Sequence, residues 1–226
     1  MIPTPDLSHL SAQDYEQVYE PAEDTFLMLD ALEADAEELR SMNASVFLEV
    51  GSGSGCVSAF ARSILGPNTL YLATDINDRA CDCTQRTALQ NKAALDVIHT
   101  SLTQGIYSRL RNSVGVMCFN PPYVPTISTE ASEAQNLRGI EGSWAGGSDG
   151  MQVTNMFLET VHELLSANGR FYLVAVKENN ILEIQQRMAQ LYHLKSKIVL
   201  SRRAGREHLS IVRFEHDGVT LELNSL

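Results

Sequence analysis

Basic residues are scarce in this 226-residue chain: 17 Lys and Arg stand against 28 Asp and Glu, for a formal net charge of -11. Phosphate contacts by Lys and Arg supply most of the affinity of nucleic-acid binders, so a field of this sign argues against a nucleic acid as partner. The basic cluster Arg202, Arg203 and Arg206 is isolated, and the acidity favours a neutral or basic partner. Long apolar runs are missing too. No stretch approaches the roughly 18 residues of a membrane span. The start, MIPTPDLSHL, has neither the basic residues nor the apolar core of a secretion signal. The four cysteines, Cys56, Cys81, Cys83 and Cys118, form no CxxC pair, and no HExxH or His-rich tract occurs. That argues against an intrinsic metal site and predicts free, mostly buried thiols in a reducing compartment. The six histidines are scattered, and none pairs with a Ser or Cys nucleophile. These absences together predict a cytoplasmic protein, or one shared between cytoplasm and nucleus, with no membrane segment.

What is present is the pattern of a soluble α/β chain, 44% hydrophobic and 20% charged, long enough to bury one sizeable core. Residues 1–17, polar with two prolines, predict a loose tail. In EPAEDTFLMLDALEADAEEL, Pro21 suits a first helical turn, and Phe26, Leu29, Leu32 and Leu39 recur at near-helical spacing. That predicts a helix over 22–40. Strands are expected at 46–50 (VFLEV), 69–74 (TLYLAT), 95–100 (LDVIHT), 114–119 (VGVMCF) and 170–176 (RFYLVAV). Between them fall helices ending near 65 and spanning 78–91, 150–166 and 180–191, with Gly169 placed as a helix stop. Repeated βα units predict a parallel sheet with helices on both faces. LKSKIVLS and EHLSIVRFE are joined only by RRAGR, too short for a crossover helix, so they should pair antiparallel. The expectation is one domain over 18–216 and a short tail over 217–226.

LEVGSGSGC (48–56) follows a strand and opens a helix. Gly51, Gly53 and Gly55 let the backbone turn tightly and approach a ligand. Such a loop alone is often only a tight strand–helix turn. Here the spacing is GxGxG, without the pattern of dinucleotide folds and without a P-loop lysine. The second strand ends at Asp75, about twenty residues past the last glycine, where a carboxylate can accept both hydroxyls of a ribose. A nucleoside ligand lacking a pyrophosphate fits, and S-adenosylmethionine is the obvious candidate. Glu49, at the end of the first strand, is either a solvated strand end or the carboxylate that holds an amino-acid ammonium, a contact of about 1.5–3 kcal/mol.

FNPPYV (119–124) ends an apolar run on a double proline. Proline has no N–H and pushes the preceding residue into an extended conformation. Asn120 is therefore held so that its side-chain carbonyl and the Pro121 backbone carbonyl can face one spot. A planar amide NH₂ carries two donors and can satisfy both acceptors. Its lone pair is delocalised, as the peptide rotation barrier of about 18–20 kcal/mol shows, so two acceptors that favour pyramidalisation favour reaction. Tyr123 offers an aromatic face for a flat group, with Pro122 beside it. Alignment of bound reactants can supply about 7–11 kcal/mol, so no strong base is required. The alternative is a proline-rich turn that merely stops a strand.

VYEPAEDTF (18–26), LEVGSGSG (48–55), FNPPYV (119–124), GIEGSWAGGSDG (139–150) and KENN (177–180) together resemble the HemK-like glutamine methyltransferases, over nearly the whole span from Val18 to Phe214. The resemblance implies a Rossmann-like class I methyltransferase fold: a seven-stranded, mostly parallel sheet with the last strand antiparallel and helices on both faces. It implies S-adenosylmethionine as methyl donor, with S-adenosylhomocysteine as product. The implied substrate is the glutamine of the Gly-Gly-Gln loop of a translation release factor. Carried over motif by motif, Thr25, Glu49, Gly51 and Asp75 would contact the cofactor, and Asn120 would touch both cofactor and substrate amide. The short eukaryotic branch of the family implies a small zinc-binding activator as heterodimer partner, docking near LDVIHT. Two positions depart from the family pattern. Ser101–Leu102 stands where an acidic residue followed by Leu is usual, so Ser101 would hold the adenine amino group more weakly. Gly115 stands where Asp is usual early in the fourth strand. Both departures predict lower cofactor affinity.

Trp144, in GSWAGGSDG, is expected on a substrate-side lid or as a loop anchor. KENN is expected at the cavity rim, or as a helix cap through Asn179 or Asn180. Two other functions stay open on the residues alone. The same Asn-Pro-Pro-Tyr site could methylate adenine N6 in a nucleic acid, or a protein lysine, although base flipping needs a basic groove. A scaffold subunit without catalysis is the third.

Overall fold

The computed structural model describes residues 1–123 and 150–218. Seven strands, β1 (Val46–Val50), β2 (Leu70–Asp75), β3 (Asp96–His99), β4 (Val114–Phe119), β5 (Leu165–Val176), β6 (Leu194–Ala204) and β7 (Glu207–His216), form one sheet ordered β3-β2-β1-β4-β5-β7-β6. The first five pair in parallel. β7 inserts antiparallel between β5 and β6, as the short β6–β7 connection requires.

β1 and β4 are buried at every position, because helices cover both faces of a parallel sheet and leave no polar side to alternate with. On one face α2 (Glu23–Ala34), α3 (Ala36–Ser41) and α4 (Cys56–Leu65) pack a core with Phe47, Tyr71 and Tyr172. On the other, α7 (Gln152–Leu164) and α8 (Ile181–Tyr192) enclose Leu48, Phe119 and Phe171. α5 (Asp78–Gln90) flanks β2 and β3, and the short α6 covers Tyr107–Leu110. The strand order reverses between β1 and β4. A crevice must open there at the carboxyl ends of the strands, which is where open α/β sheets bind ligands. Glu49 and Asn120 stand on either side of it.

Three expectations change. The 22–40 helix is broken at Asp35 (φ -93°, ψ 8°). The carboxylate of Asp35 accepts from Tyr172 Oη and Arg213 Nη1, each at 2.8 Å. A buried Arg213 needs this partner, and no apolar periodicity reveals it. Gly169 does not stop a helix: α7 ends at Leu164, and Gly169 lies inside β5. A Cβ there would come within 2.7 Å of the Val114 carbonyl oxygen, so the residue permits close strand approach at the irregular β4–β5 register.

Residues 1–17 are docked rather than loose. Ser11 caps the short helix α1 (Ala12–Tyr15). Leu10 and Val18 are buried against Ala80 and Cys83 of α5, and Asp14 pairs with Arg86. Each contact comes singly, so the segment shows no periodic signal. The four thiols are free, with Cys56, Cys83 and Cys118 buried. Among the described residues no helix is long and apolar enough to cross a membrane.

Candidate functional site

A cavity of about 310 Å³ opens at the β1–β4 switch point, within the size range of small-molecule sites. One wall is the loop between β1 and α4. Gly53 sits at φ +51° with nothing within 4 Å of a would-be Cβ, so its backbone faces open space. Its N–H donates to Asp75 Oδ2 at 2.9 Å, and the Asn77 N–H donates to Oδ1 at 2.9 Å. Gly51 also lines the cavity. Gly55, expected among the ligand contacts, does not line it. A Cβ on Gly55 would lie 2.8 Å from the Thr84 Cα, so this glycine lets α4 pack against α5.

Four carboxyl residues line the cavity, Asp24, Glu49, Asp75 and Glu207; of these, Glu49 leads into the glycine turn and Asp75 is hydrogen-bonded to it. Glu49 is 5% exposed, and its Oε2 accepts from the Ser58 N–H at 2.9 Å and from the Ser58 hydroxyl. Burial, only partly offset by those bonds, pushes its pKa up to about 8. Burial raises the Asp75 carboxyl as well, against the bonds from Gly53 and Asn77. Two desolvated acids beside an open glycine turn form a site for a ligand that brings positive charge and hydroxyl donors.

The far wall comes from β4 and the residues after it. Asn120, Pro121, Pro122 and Tyr123 all line the cavity. The Asn120 Nδ2 donates to Asp24 Oδ2 at 3.0 Å. Its Oδ1 is buried and has no hydrogen-bond partner among the described residues, a state that costs about 1–3 kcal/mol unless a donor arrives. Thr25, Ser101 and Leu102 complete the predicted set along the wall, with Leu102 in the left-handed region at φ +50°.

Other expectations fall elsewhere. A Cβ on Gly115 would meet the Ala44 Cβ at 2.7 Å. The residue packs β4 against Ala44 away from the cavity, so its departure from the family pattern carries no cofactor contact. KENN does not form this rim: the Asn179 Oδ1 accepts from the Val176 N–H at 2.9 Å and the Asn180 Nδ2 donates to Glu183 at 2.8 Å, so both serve the turn into α8. Trp144 lies outside the described residues.

Sequence reasoning missed Asp24 and Tyr19. Asp24 is 3% exposed. Its Oδ2 accepts from Tyr19 Oη at 3.1 Å and Tyr123 Oη at 3.0 Å in addition to Asn120. Burial first, then the Asp24 carboxylate, raises both tyrosine pKa values. The available signal is an acid in the first turn of α2, three residues past Pro21, a position where acids also serve the helix dipole. Val18, Met156 and Glu207 also reach the cavity. Among the described residues no cluster of His, Cys, Asp and Glu could hold a metal.

The Methyltransferase small domain family matches residues 24–138. "Methyltransferase HEMK2" of Mus musculus is 47% identical over 213 residues, covering 94% of this chain and 96% of that protein. The "eRF1 methyltransferase catalytic subunit mtq2" of Schizosaccharomyces pombe is 41% identical over 234 residues, covering 98% of this chain and 99% of that one. Among solved structures, the E. cuniculi Mtq2–Trm112 complex, described as responsible for methylation of the eRF1 translation termination factor, has a TM-score of 0.66. It covers 88% of this chain and 98% of its own at 24% identity, which shows a common fold.

Proposed function

The chain belongs to the Methyltransferase small domain family, and on that footing we propose that it methylates the side-chain amide N5 of the glutamine in the Gly-Gly-Gln loop of a translation termination factor, with S-adenosylmethionine as donor. The observation that carries this is the unpaired, buried Asn120 Oδ1 at the cavity wall. A lone acceptor held beside an open ligand turn is matched by a substrate that brings N–H groups, as a primary amide does. The name of the mouse relative supports methyl transfer, and the names of the S. pombe and E. cuniculi relatives support the termination factor as substrate.

The residues present fit the donor. Gly53 leaves room for a ligand to approach its backbone, and the carboxyls of Glu49 and Asp75 face the same space. Glu49 would hold the amino-acid ammonium and Asp75 the ribose hydroxyls. Thr25 and Gly51 would flank them, and Ser101 and Leu102 would border the adenine. When bound, S-adenosylmethionine supplies a methyl carbon activated by sulfonium, so a weak, well-aligned nitrogen suffices. The Asn120 side-chain oxygen and the Pro121 carbonyl take the two N–H groups of the amide. That pair holds the nitrogen in place and favours the pyramidal geometry in which its lone pair is available. Tyr123 offers its ring to the flat amide, and burial keeps its hydroxyl protonated. The proton released after transfer passes to solvent, since among the described residues no Lys, Arg or His lines the cavity.

A small zinc-binding activator subunit is proposed at the free edge of β3, the end strand of the sheet. Its main-chain groups are open to β-augmentation, and Leu70 and Leu89 are exposed. The pairing of Mtq2 with a second chain in the E. cuniculi complex supports it.

The test is transfer of labelled methyl from S-adenosylmethionine to purified termination factor, with and without the activator. Label should reach the native factor and not a factor whose loop glutamine is replaced. Equal labelling of both would overturn the proposal.

A further inference from the structure

The orientation of the Asn120 amide is decided by one atom. An Asn side chain has nearly the same shape either way round, so its neighbours determine whether oxygen or nitrogen faces a given point. Here the neighbour is Asp24 Oδ2, 3.0 Å from Asn120 Nδ2. A carboxylate can only accept. Turning the amide over would set the Asn120 oxygen against the Asp24 oxygen, so Nδ2 stays on Asp24 and Oδ1 stays free. Asp24 Oδ2 also accepts from the Tyr123 hydroxyl, which fixes the ring beside the amide, and from the Tyr19 hydroxyl of the docked N-terminal segment. Asp24 itself cannot swing away. It is buried, and its Oδ1 accepts the Thr25 N–H at 2.6 Å.

We propose that Asp24 is the positioning residue that makes Asn120 an obligate acceptor toward the methyl-accepting nitrogen. This rests on the function proposed above and adds the origin of its selectivity. The site admits acceptors that present N–H groups and repels those that present only a lone pair or a carbonyl oxygen. Hydrogen bonding to a carboxylate also polarises the Asn120 amide and strengthens its oxygen as an acceptor.

Asp24→Asn tests this sharply. The Thr25 backbone N–H is a fixed donor, so the new amide keeps its oxygen there and turns its NH₂ toward Asn120. Asn120 then flips, and a donor faces the substrate. With the termination factor as substrate, kcat should fall about 100-fold or more, the scale of losing one catalytic hydrogen-bonding group. The Kd for S-adenosylmethionine should rise by no more than about tenfold, about 1.4 kcal/mol, the cost of the one cofactor contact Asn120 is expected to make. The exchanged pair, Asp24→Asn with Asn120→Asp, again places an acceptor toward the substrate and an accepting group on the new amide. It should regain at least about tenfold over Asp24→Asn. A merely structural role for Asp24 predicts no such recovery.

A second readout needs no substrate. In ¹⁵N-labelled protein the Asn120 side-chain NH₂ should exchange slowly with solvent, and in Asp24→Asn it should exchange at least about tenfold faster, as expected once a buried carboxylate bond is lost. Free exchange in the wild type, unchanged kcat in Asp24→Asn, or no recovery in the exchanged pair would each overturn the assignment. Failure of the wild type to methylate the factor would instead overturn the proposed function, and the exchange measurement would still decide the role of Asp24.

Discussion

Cofactor affinity should depend on pH through Glu49, and the size of the effect follows from its burial. Its carboxyl titrates near 8, whereas the same group in an unfolded chain titrates near 4.3. The ammonium proposed to lie against it needs the ionised form. Ionised fractions at pH 6 and 7 are then about one in a hundred and one in ten, so affinity should rise roughly tenfold between them, about 1.4 kcal/mol. An α-ammonium keeps its proton until about pH 7.7, so the rise should level off near 8. At pH 7 binding should release a net of about 0.7 proton, about 0.9 from Glu49 less about 0.2 taken up by the ammonium. Isothermal titration calorimetry with S-adenosylmethionine, in buffers of different ionisation enthalpy, measures both quantities. The linkage sign for the free protein runs the other way. A raised carboxyl pKa contributes stability that is fully present below about pH 4.3 and is lost as pH rises through 8, and bound cofactor should reverse that loss. A flat affinity between pH 6 and 7 with no proton release would refute the assignment of Glu49. Glu49→Gln should abolish the pH slope.

Asn120→Ala removes the free acceptor and should lower kcat by about 100-fold or more, while S-adenosylmethionine binding, read by calorimetry, weakens by no more than about tenfold, the scale of one lost contact. Gly55→Ala sets a Cβ 2.8 Å from the Thr84 Cα at φ +78°. Left-handed strain of about 1–2 kcal/mol and overpacking of about 1–3 kcal/mol should lower the Tm by roughly 5–15 °C in thermal melts. Ser101→Asp places a carboxylate in place of a hydroxyl at the wall proposed for the adenine, and a charge-assisted bond should tighten S-adenosylmethionine by about tenfold. No tightening in the same titration would remove Ser101 from that wall.

The elements built on periodic burial were legible in the sequence. β1 and β4 lie where apolar runs place them, because a strand buried on both faces writes that burial into consecutive residues. Asp75 and Asn120 were legible for another reason: Asp75 ends β2 about twenty residues past the glycine loop, and Asn120 follows β4 directly before a double proline, whose effect on the backbone is local. What escaped was carried by single long-range polar contacts. Asp24 reads as a helix-capping acid until the fold brings Asn120 and Tyr123, about a hundred residues on, to its carboxylate. Asp35 breaks a helix whose apolar spacing runs on unbroken, because its charge pairs with Arg213 from β7. Gly55 and Gly115 carry the glycine signal, yet each serves close packing, a distinction that only the neighbours Thr84 and Ala44 reveal. The docked N-terminal segment is held by the Asp14–Arg86 pair and a small apolar patch, too sparse to form a pattern.

The most direct measurement is fragmentation mass spectrometry of the termination factor's Gly-Gly-Gln peptide after incubation with the protein, its activator and S-adenosylmethionine. The account predicts a single added methyl sited on the glutamine side-chain nitrogen. An unmodified glutamine, or a methyl sited on a lysine or on the backbone, would contradict it.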